Sequence, residues 1–243
     1  MTDVLLSSPV NSKLGKLVHS WSLTPGIAAS CPGETTLCRS VCYAMRGHFR
    51  YGPAKKAYAR NFEFSQTWAF ADWASSAIKS NFVQVMRIHV SGDFYDAAYV
   101  HKWVQIARAC PRVTFFAYTR SWRDDAILPS LLALGSEPNV QLWWSIDRET
   151  GPAPLHSQIK RAYMAMDAAD AATAPQDCDL VFRVSRNTVL KRVGQVLVCP
   201  PENGVKTAIT CSTCGVCWRN KQPPTWTKQA AAADSGLELL APL

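Results

Sequence analysis

Seven of the nine cysteines fall into two groups whose spacing is that of thiolate ligands. Cys31, Cys38 and Cys42 lie in "SCPGETTLCRSVCYA", separated by six residues and then three. Cys199, Cys211, Cys214 and Cys217 form the second group, its last three as a C-x2-C-x2-C run. Four thiolates can close a zinc site. Four also hold a [4Fe–4S] cube, for which C-x2-C-x2-C is a recurring run. The second group therefore predicts a metal centre, a cube or, alternatively, a structural zinc. Three thiolates suit neither a closed zinc site nor a disulfide, but they bind a cube and leave one iron open. A zinc completed by His19 or His48 is the plainer alternative for this group. Cys110 and Cys178 stand alone and read as small buried apolar side chains.

The chain that must position these ligands has 243 residues, 48% of them hydrophobic. That is enough for one large domain or two small ones. The stretch "MTDVLLSSPVNSK" lacks the basic start and apolar run of a secretion signal. No stretch approaches the roughly 18 apolar residues of a membrane helix. The expectation is a soluble, cytoplasmic protein with no membrane partner. In such a reducing compartment abundant cysteines read as ligands rather than disulfides.

Between the cysteine groups, strand-like and helix-like stretches alternate. Strands are predicted over 16–23, 83–90, 113–119, 140–146, 179–185 and 194–200. Helices are predicted over 52–66, 67–80, 96–110, 123–135 and 154–169, with Pro129 shortening or kinking the fourth. The Ala-rich 228–243 reads as a peripheral helix and tail. Alternation of this kind argues for parallel strands joined by crossovers. The period-2 pattern puts polar residues on one face of four strands: Arg87, His89, Ser91 and Asp93; Tyr118 and Arg120; Gln141, Ser145 and Asp147; Arg183 and Ser185. A sheet covered by helices on both sides would be apolar on both faces. The fold class predicted is therefore α/β, a partial (β/α)6 barrel of parallel strands over residues 1–198, with a cysteine-rich metal-binding extension over 199–243. Ligands of such barrels bind at the C-terminal strand ends. Arg87, His89, Tyr118, Arg120 and Arg183 are accordingly the candidate substrate-binding residues.

The motif "CPGETTLCRSVCYA", the "SGDF" after the second strand and the terminal "CP…C-x-x-C-G-x-C-W" resemble the phage-encoded gene product 88 family. The resemblance runs from roughly residue 15 to 220, and that family is similar to distant radical S-adenosylmethionine barrels. The resemblance implies a [4Fe–4S] cube on the three-cysteine loop, a second cluster on the four-cysteine group, and S-adenosylmethionine chelating the open iron. It places Ser91, Gly92 and Asp93 where that superfamily carries Gly-Gly-Glu, so Asp93 is expected to accept from the cosubstrate ammonium. Ser145 and Asp147 are expected at its ribose, and Tyr43, directly after Cys42, beside the cofactor. The spacing departs from the superfamily's C-x3-C-x2-C, in which the aromatic residue precedes the last cysteine. An electron donor and a phage protein working in a bacterial host are further implications.

With 26 Lys/Arg against 18 Asp/Glu, the net charge of +8 allows a polyanionic partner. Residues 45–60 interleave Arg46, Arg50, Lys55, Lys56 and Arg60 with Phe49, Tyr51 and Tyr58, a composition suited to nucleic acid. The substrate expected is nucleic acid or a modified nucleotide. The alternative is a non-catalytic iron–sulfur or zinc nucleic-acid-binding protein.

Overall fold

The computed structural model describes residues 12–47, 51–205 and 208–219. The expected tail helix over 228–243, and His48, Phe49 and Arg50, lie outside the described residues. The elements in chain order are β1 (Val18–Trp21), α1 (Thr36–Val41), α2 (Gly52–Gln66), α3 (Phe70–Ser80), β2 (Val85–Ile88), α4 (Ala97–Ala109), β3 (Thr114–Thr119), α5 (Leu128–Gly135), β4 (Val140–Ile146), β5 (Lys160–Ala165), α6 (Ala168–Ala172), β6 (Leu180–Arg183), β7 (Arg192–Val193), β8 (Val196–Val198) and α7 (Cys211–Cys214).

The strands make one eight-stranded sheet in the order β1-β2-β3-β4-β5-β6-β8-β7. Every neighbouring pair is parallel except the short β7–β8 pair. The order never reverses among the first six strands, as expected when each connection advances by one strand. A barrel closes only when its edge strands pair. Here β1 and β7 end the sheet, and no pairing joins them among the described residues.

Alternation along the strands sorts side chains into two environments. Trp21, Met86, Ile88, Phe115, Leu142, Trp144 and Val181 pack with helix residues such as Phe70, Tyr99 and Trp103 in the main core. On the other face, Val18, Val85 and Phe116 pack with Leu14, Trp218, Cys211 and Cys217. Trp143, Ala162 and Leu180 on that face pack with Cys199, Val216 and Cys217. The C-terminal cysteine segment thus covers the face that the helices leave open. Cys110 and Cys178 are buried, as their isolation suggested.

Four expectations need correction. Arg183 does not share the face of the other polar strand residues: it stands in register with Ala165 of the main core, and Phe182 takes the opposite side. Residues 154–169 are not a helix: Lys160–Ala165 is β5, held in parallel register between β4 and β6. Ala162 and Tyr163 face opposite sides, so pairing on both edges overrides the helix propensity of an Ala- and Met-rich stretch. The helix expected over 123–135 begins only at Leu128, with Pro129 in its first turn. There the absent N–H leaves no hydrogen bond unmade. His89 does not share the face of Arg87. Strand β2 ends at Ile88, and His89 has φ 65° in the left-handed region. Its Nε2 lies 2.9 Å from the Tyr99 hydroxyl and its ring 4.7 Å from that of Phe94, on the helix side.

The three-cysteine loop lies close against the sheet's end. A Cβ built on Gly33 would stand 2.0 Å from the Arg120 carbonyl oxygen, far closer than van der Waals contact permits. Gly33→Ala should therefore destabilise the chain by about 1–3 kcal/mol, the range for overpacking. Gly52→Ala, at the start of α2 with open space around it, should leave thermal melting unchanged. Equal melting temperatures for both variants would mean that the loop is not seated on β3.

Candidate functional site

Local structure presents each cysteine of the first group. The Cys31 N–H donates to Gly26 O at 3.0 Å. Thr35 caps α1, its Oγ1 accepting from the Cys38 N–H at 2.9 Å. Cys42 is the C-cap of that one-and-a-half-turn helix. The helix is anchored from β4's loop: Glu149 Oε2 accepts from the Leu37 N–H at 2.8 Å. Thr35 Oγ1 donates to Asp147 Oδ2 at 2.8 Å. Arg120 closes the arrangement, its Nη2 3.1 Å and its Nε 3.2 Å from the same Asp147 oxygen. Neither Glu149 nor Thr35 was read from the sequence as a site residue. Thr35 followed by Cys38 three residues on is a legible cap spacing; Glu149 offers no local signal.

The three cysteines line a cavity of about 480 Å³ at the C-terminal strand ends. Tyr43, Ser91, Gly92, Asp93, Ser145, Arg87, His89, Tyr118, Arg120 and Arg183 line it as well. Asp147 stands behind the wall; its side chain has no exposed area and holds Thr35 and Arg120. The Ser91 hydroxyl donates to Leu23 O at 2.9 Å, and the Tyr43 hydroxyl donates to Val90 O. Gly92, at φ 84°, lets this turn pass Ser30 and Leu23. Asp93 Oδ1 accepts from the Phe94 N–H and Oδ2 from the Arg120 N–H, each at 2.8 Å. Burial pushes its carboxyl up to about 6, against those hydrogen bonds and the Arg120 charge. Asp93 is not the cap of α4; Asp96 is, accepting from the Tyr99 N–H. Lys13, Met164, Arg186 and Glu202 also line the cavity and were not anticipated, since tertiary folding alone brings them there.

The second group is built on one helical turn. A capping box of Thr210 and Thr213 starts α7, and Gly215 at φ 70° ends it, so Cys211, Cys214 and Cys217 follow one tight path. With Cys199 from the end of β8, all four line one small pocket beside Leu180, Pro200 and Trp218. Trp143 Nε1 donates to Cys217 O at 3.0 Å, fixing the segment to β4. Among the described residues, no three His, Cys, Asp or Glu side chains gather closely enough to hold a single metal ion. His19 shares a register position with Met86 on the helix side, away from the cysteines.

Burial holds Cys31, Cys38, Cys199, Cys211 and Cys217 in their protonated form. Burial, then the Asp93 carboxylate, pushes Cys31 up to about 12. Burial raises Cys38 too, with the Arg120 charge opposing. In the second group burial pushes Cys217 up to about 11 and raises Cys199 and Cys211. A cationic centre is what draws protons from such buried thiols.

The chain matches the family described as "Gene product 88" over residues 5–220. It is similar to the "Gene 88 protein" of Mycobacterium phage D29, 29% identical over 121 residues that cover 45% of this chain and 50% of that protein. The "Gene 88 protein" of Mycobacterium phage L5 is 31% identical over 121 residues with the same coverage. The matched segment thus spans about half the length of these curated relatives. No solved structure matches. No helix among the described residues is long and apolar enough to cross a membrane.

Removing one partner of a buried ion pair strands the other, at a cost of about 3–5 kcal/mol. Asp147→Asn should lower stability by roughly that amount. It should also speed the reaction of Cys38 and Cys42 with an aromatic disulfide reagent, because α1 loses its anchor. Unchanged thiol reactivity would show that Asp147 does not position the loop.

Proposed function

The chain belongs to the gene product 88 family, and we propose that it is an iron–sulfur protein of the radical S-adenosylmethionine type, with a nucleic acid or modified nucleotide as its substrate. The observation that carries this reading is the separation of the cysteines into two pockets on one sheet face. Three line a cavity with room for a ligand, and four line a second, small pocket. The non-reversing strand order supports the idea of a barrel left open on one side. The extension from residue 199 onward acts in this reading as a second cluster-bearing unit. A zinc ion would draw four sulfurs to about 2.3 Å from its centre.

When bound at Cys31, Cys38 and Cys42, a cube with an open iron would supply one-electron chemistry to a chelated cosubstrate. The chain's own residues orient that cosubstrate. Asp93 faces the cavity with a carboxylate already fixed by two backbone N–H groups. Its remaining lone pairs can accept from an ammonium. Ser145 lines the same wall further along the strand ends. Tyr43, pinned to Val90, shields the cavity beside Cys42. Exposed Arg46, Tyr51, Lys55, Lys56 and Arg60 follow Tyr43 in sequence and suit a polyanionic partner. An electron donor and a place in the bacterial cytoplasm complete the proposal.

Anaerobic reconstitution followed by iron and sulfide analysis tests the reading. On the order of eight irons per chain are expected, four for each cube, and Cys38→Ala should remove about half. Tightly bound zinc without iron would replace it with the alternative, a non-catalytic zinc protein that binds nucleic acid. The cosubstrate site is tested separately. A charge-assisted bond is worth roughly 1.5–3 kcal/mol, so Asp93→Asn should weaken S-adenosylmethionine binding about ten- to hundredfold at unchanged iron content. Equal affinities would confine Asp93 to its backbone role.

A further inference from the structure

The cavity wall away from the cysteines carries more positive charge than it can neutralise. Lys13, Arg183, Arg186 and Glu202 all line it. Glu202 is buried, and its Oε1 pairs with Lys13 and, at 3.1 Å, with Arg186. Arg183 has no carboxylate within ion-pairing distance among the described residues, although only 2% of it is exposed. Its bonds are to neutral oxygens: Nη1 to Thr188 Oγ1 at 3.3 Å, Nη2 to Thr188 O at 2.7 Å and to Glu202 O at 3.4 Å. Its Nε is buried without a partner. Two of the three cations thus share one carboxylate, and Arg183 meets that residue only through its backbone carbonyl.

A buried cation without an anion is strongly disfavoured, and a guanidinium is suited to the two oxygens of a carboxylate or phosphate. The Thr188 and Glu202 carbonyls hold the fork in one orientation. Gly204 allows the close approach, since a Cβ there would lie 3.1 Å from Arg183 Nη2 and 2.4 Å from Thr188 O. Arg87 is a different case: its guanidinium lies over the Tyr118 ring at 5.6 Å and its Nε donates to His89 O at 3.2 Å. We propose that Arg183, supported by Arg186, is the anchor of an oxyanion subsite, which takes the phosphate or carboxylate of a small substrate whose other end reaches the three-cysteine wall. The volume of about 480 Å³ suits a single nucleotide-sized molecule rather than a length of strand.

This rests on the function proposed above only in taking the same cavity as the substrate site. The test uses the full chain, its iron content measured beforehand, titrated with adenosine, adenosine 5′-monophosphate and adenosine 5′-carboxylate while tryptophan fluorescence is followed. At least one anionic probe should bind tenfold or more tighter than adenosine. The tighter of the two identifies the oxyanion as phosphate or carboxylate. Arg183→Gln should reduce that preference below threefold, while Arg192→Gln, an exposed arginine outside the cavity, should keep it. If Arg183→Gln melts below the assay temperature, Arg183→Lys replaces it and should also lose most of the preference, because a lysine keeps the charge but not the fork. Equal binding of the three probes, binding by none, or a preference that survives at position 183 overturns the subsite. A preference in protein that never loads iron supports the subsite and defeats the cluster reading; iron without a preference does the reverse.

Discussion

The three-cysteine loop depends on one buried ion pair. Asp147 sits at the end of β4 and Arg120 at the end of β3, and their side chains meet within 3.1 Å. The same Asp147 oxygen takes the hydroxyl of Thr35, which in turn caps the helix that carries Cys38. Arg120 also uses its backbone, donating its N–H to Asp93 at the end of β2. The ends of β3 and β4, the turn after β2 and the cysteine loop are therefore joined through the side chains of Asp147, Arg120, Thr35 and Asp93. The pair is not there chiefly for stability, since an isolated buried ion pair is close to neutral against an apolar replacement. What it supplies is position: a loop with one short helix gains three fixed points on a rigid sheet.

The sheet itself has two unlike faces, and each answers to a different partner. One is covered by helices and is largely apolar. The other is covered at one end by the chain's own cysteine-rich segment and open at the other as the cavity. Arg87 and Tyr118 lie between the two: the guanidinium stands over the ring at 5.6 Å, and both groups lie close to Cys217. The Tyr118 hydroxyl has no nitrogen or oxygen partner, which leaves the cysteine sulfur as its neighbour. Arg87 and Tyr118 therefore line the cavity and also neighbour the four-cysteine segment.

The cysteines, the parallel sheet and most of the cavity wall were legible from the chain alone, because residue type and strand period carry that information directly. What escaped was decided by tertiary context. Lys160–Ala165 has no β-branched residue, and only the strands on either side make it extended. His89 follows a period that ends one residue before it. Asp147 was expected to face the ligand, yet it sits behind the wall because its partners come from residues 112 and 27 positions away. Lys13, Arg186 and Glu202 meet across most of the chain, and no local pattern announces a cluster formed that way.

The C-terminal segment is held chiefly by residues at the opposite end of the sequence. Cys211 and Ser212 donate their N–H groups to the carbonyls of Lys13 and Leu14, and Ser212 Oγ accepts from the Leu17 N–H across 195 positions. Contacts of such separation form late, after the loop they close has lost its freedom. During synthesis the parallel strands can emerge and pair in order, with the cavity wall present, before the second set of thiols exists. Assembly is thereby ordered in time: the four-cysteine pocket is completed last, and a chain stopped short of residue 211 would carry the sheet with one face uncovered.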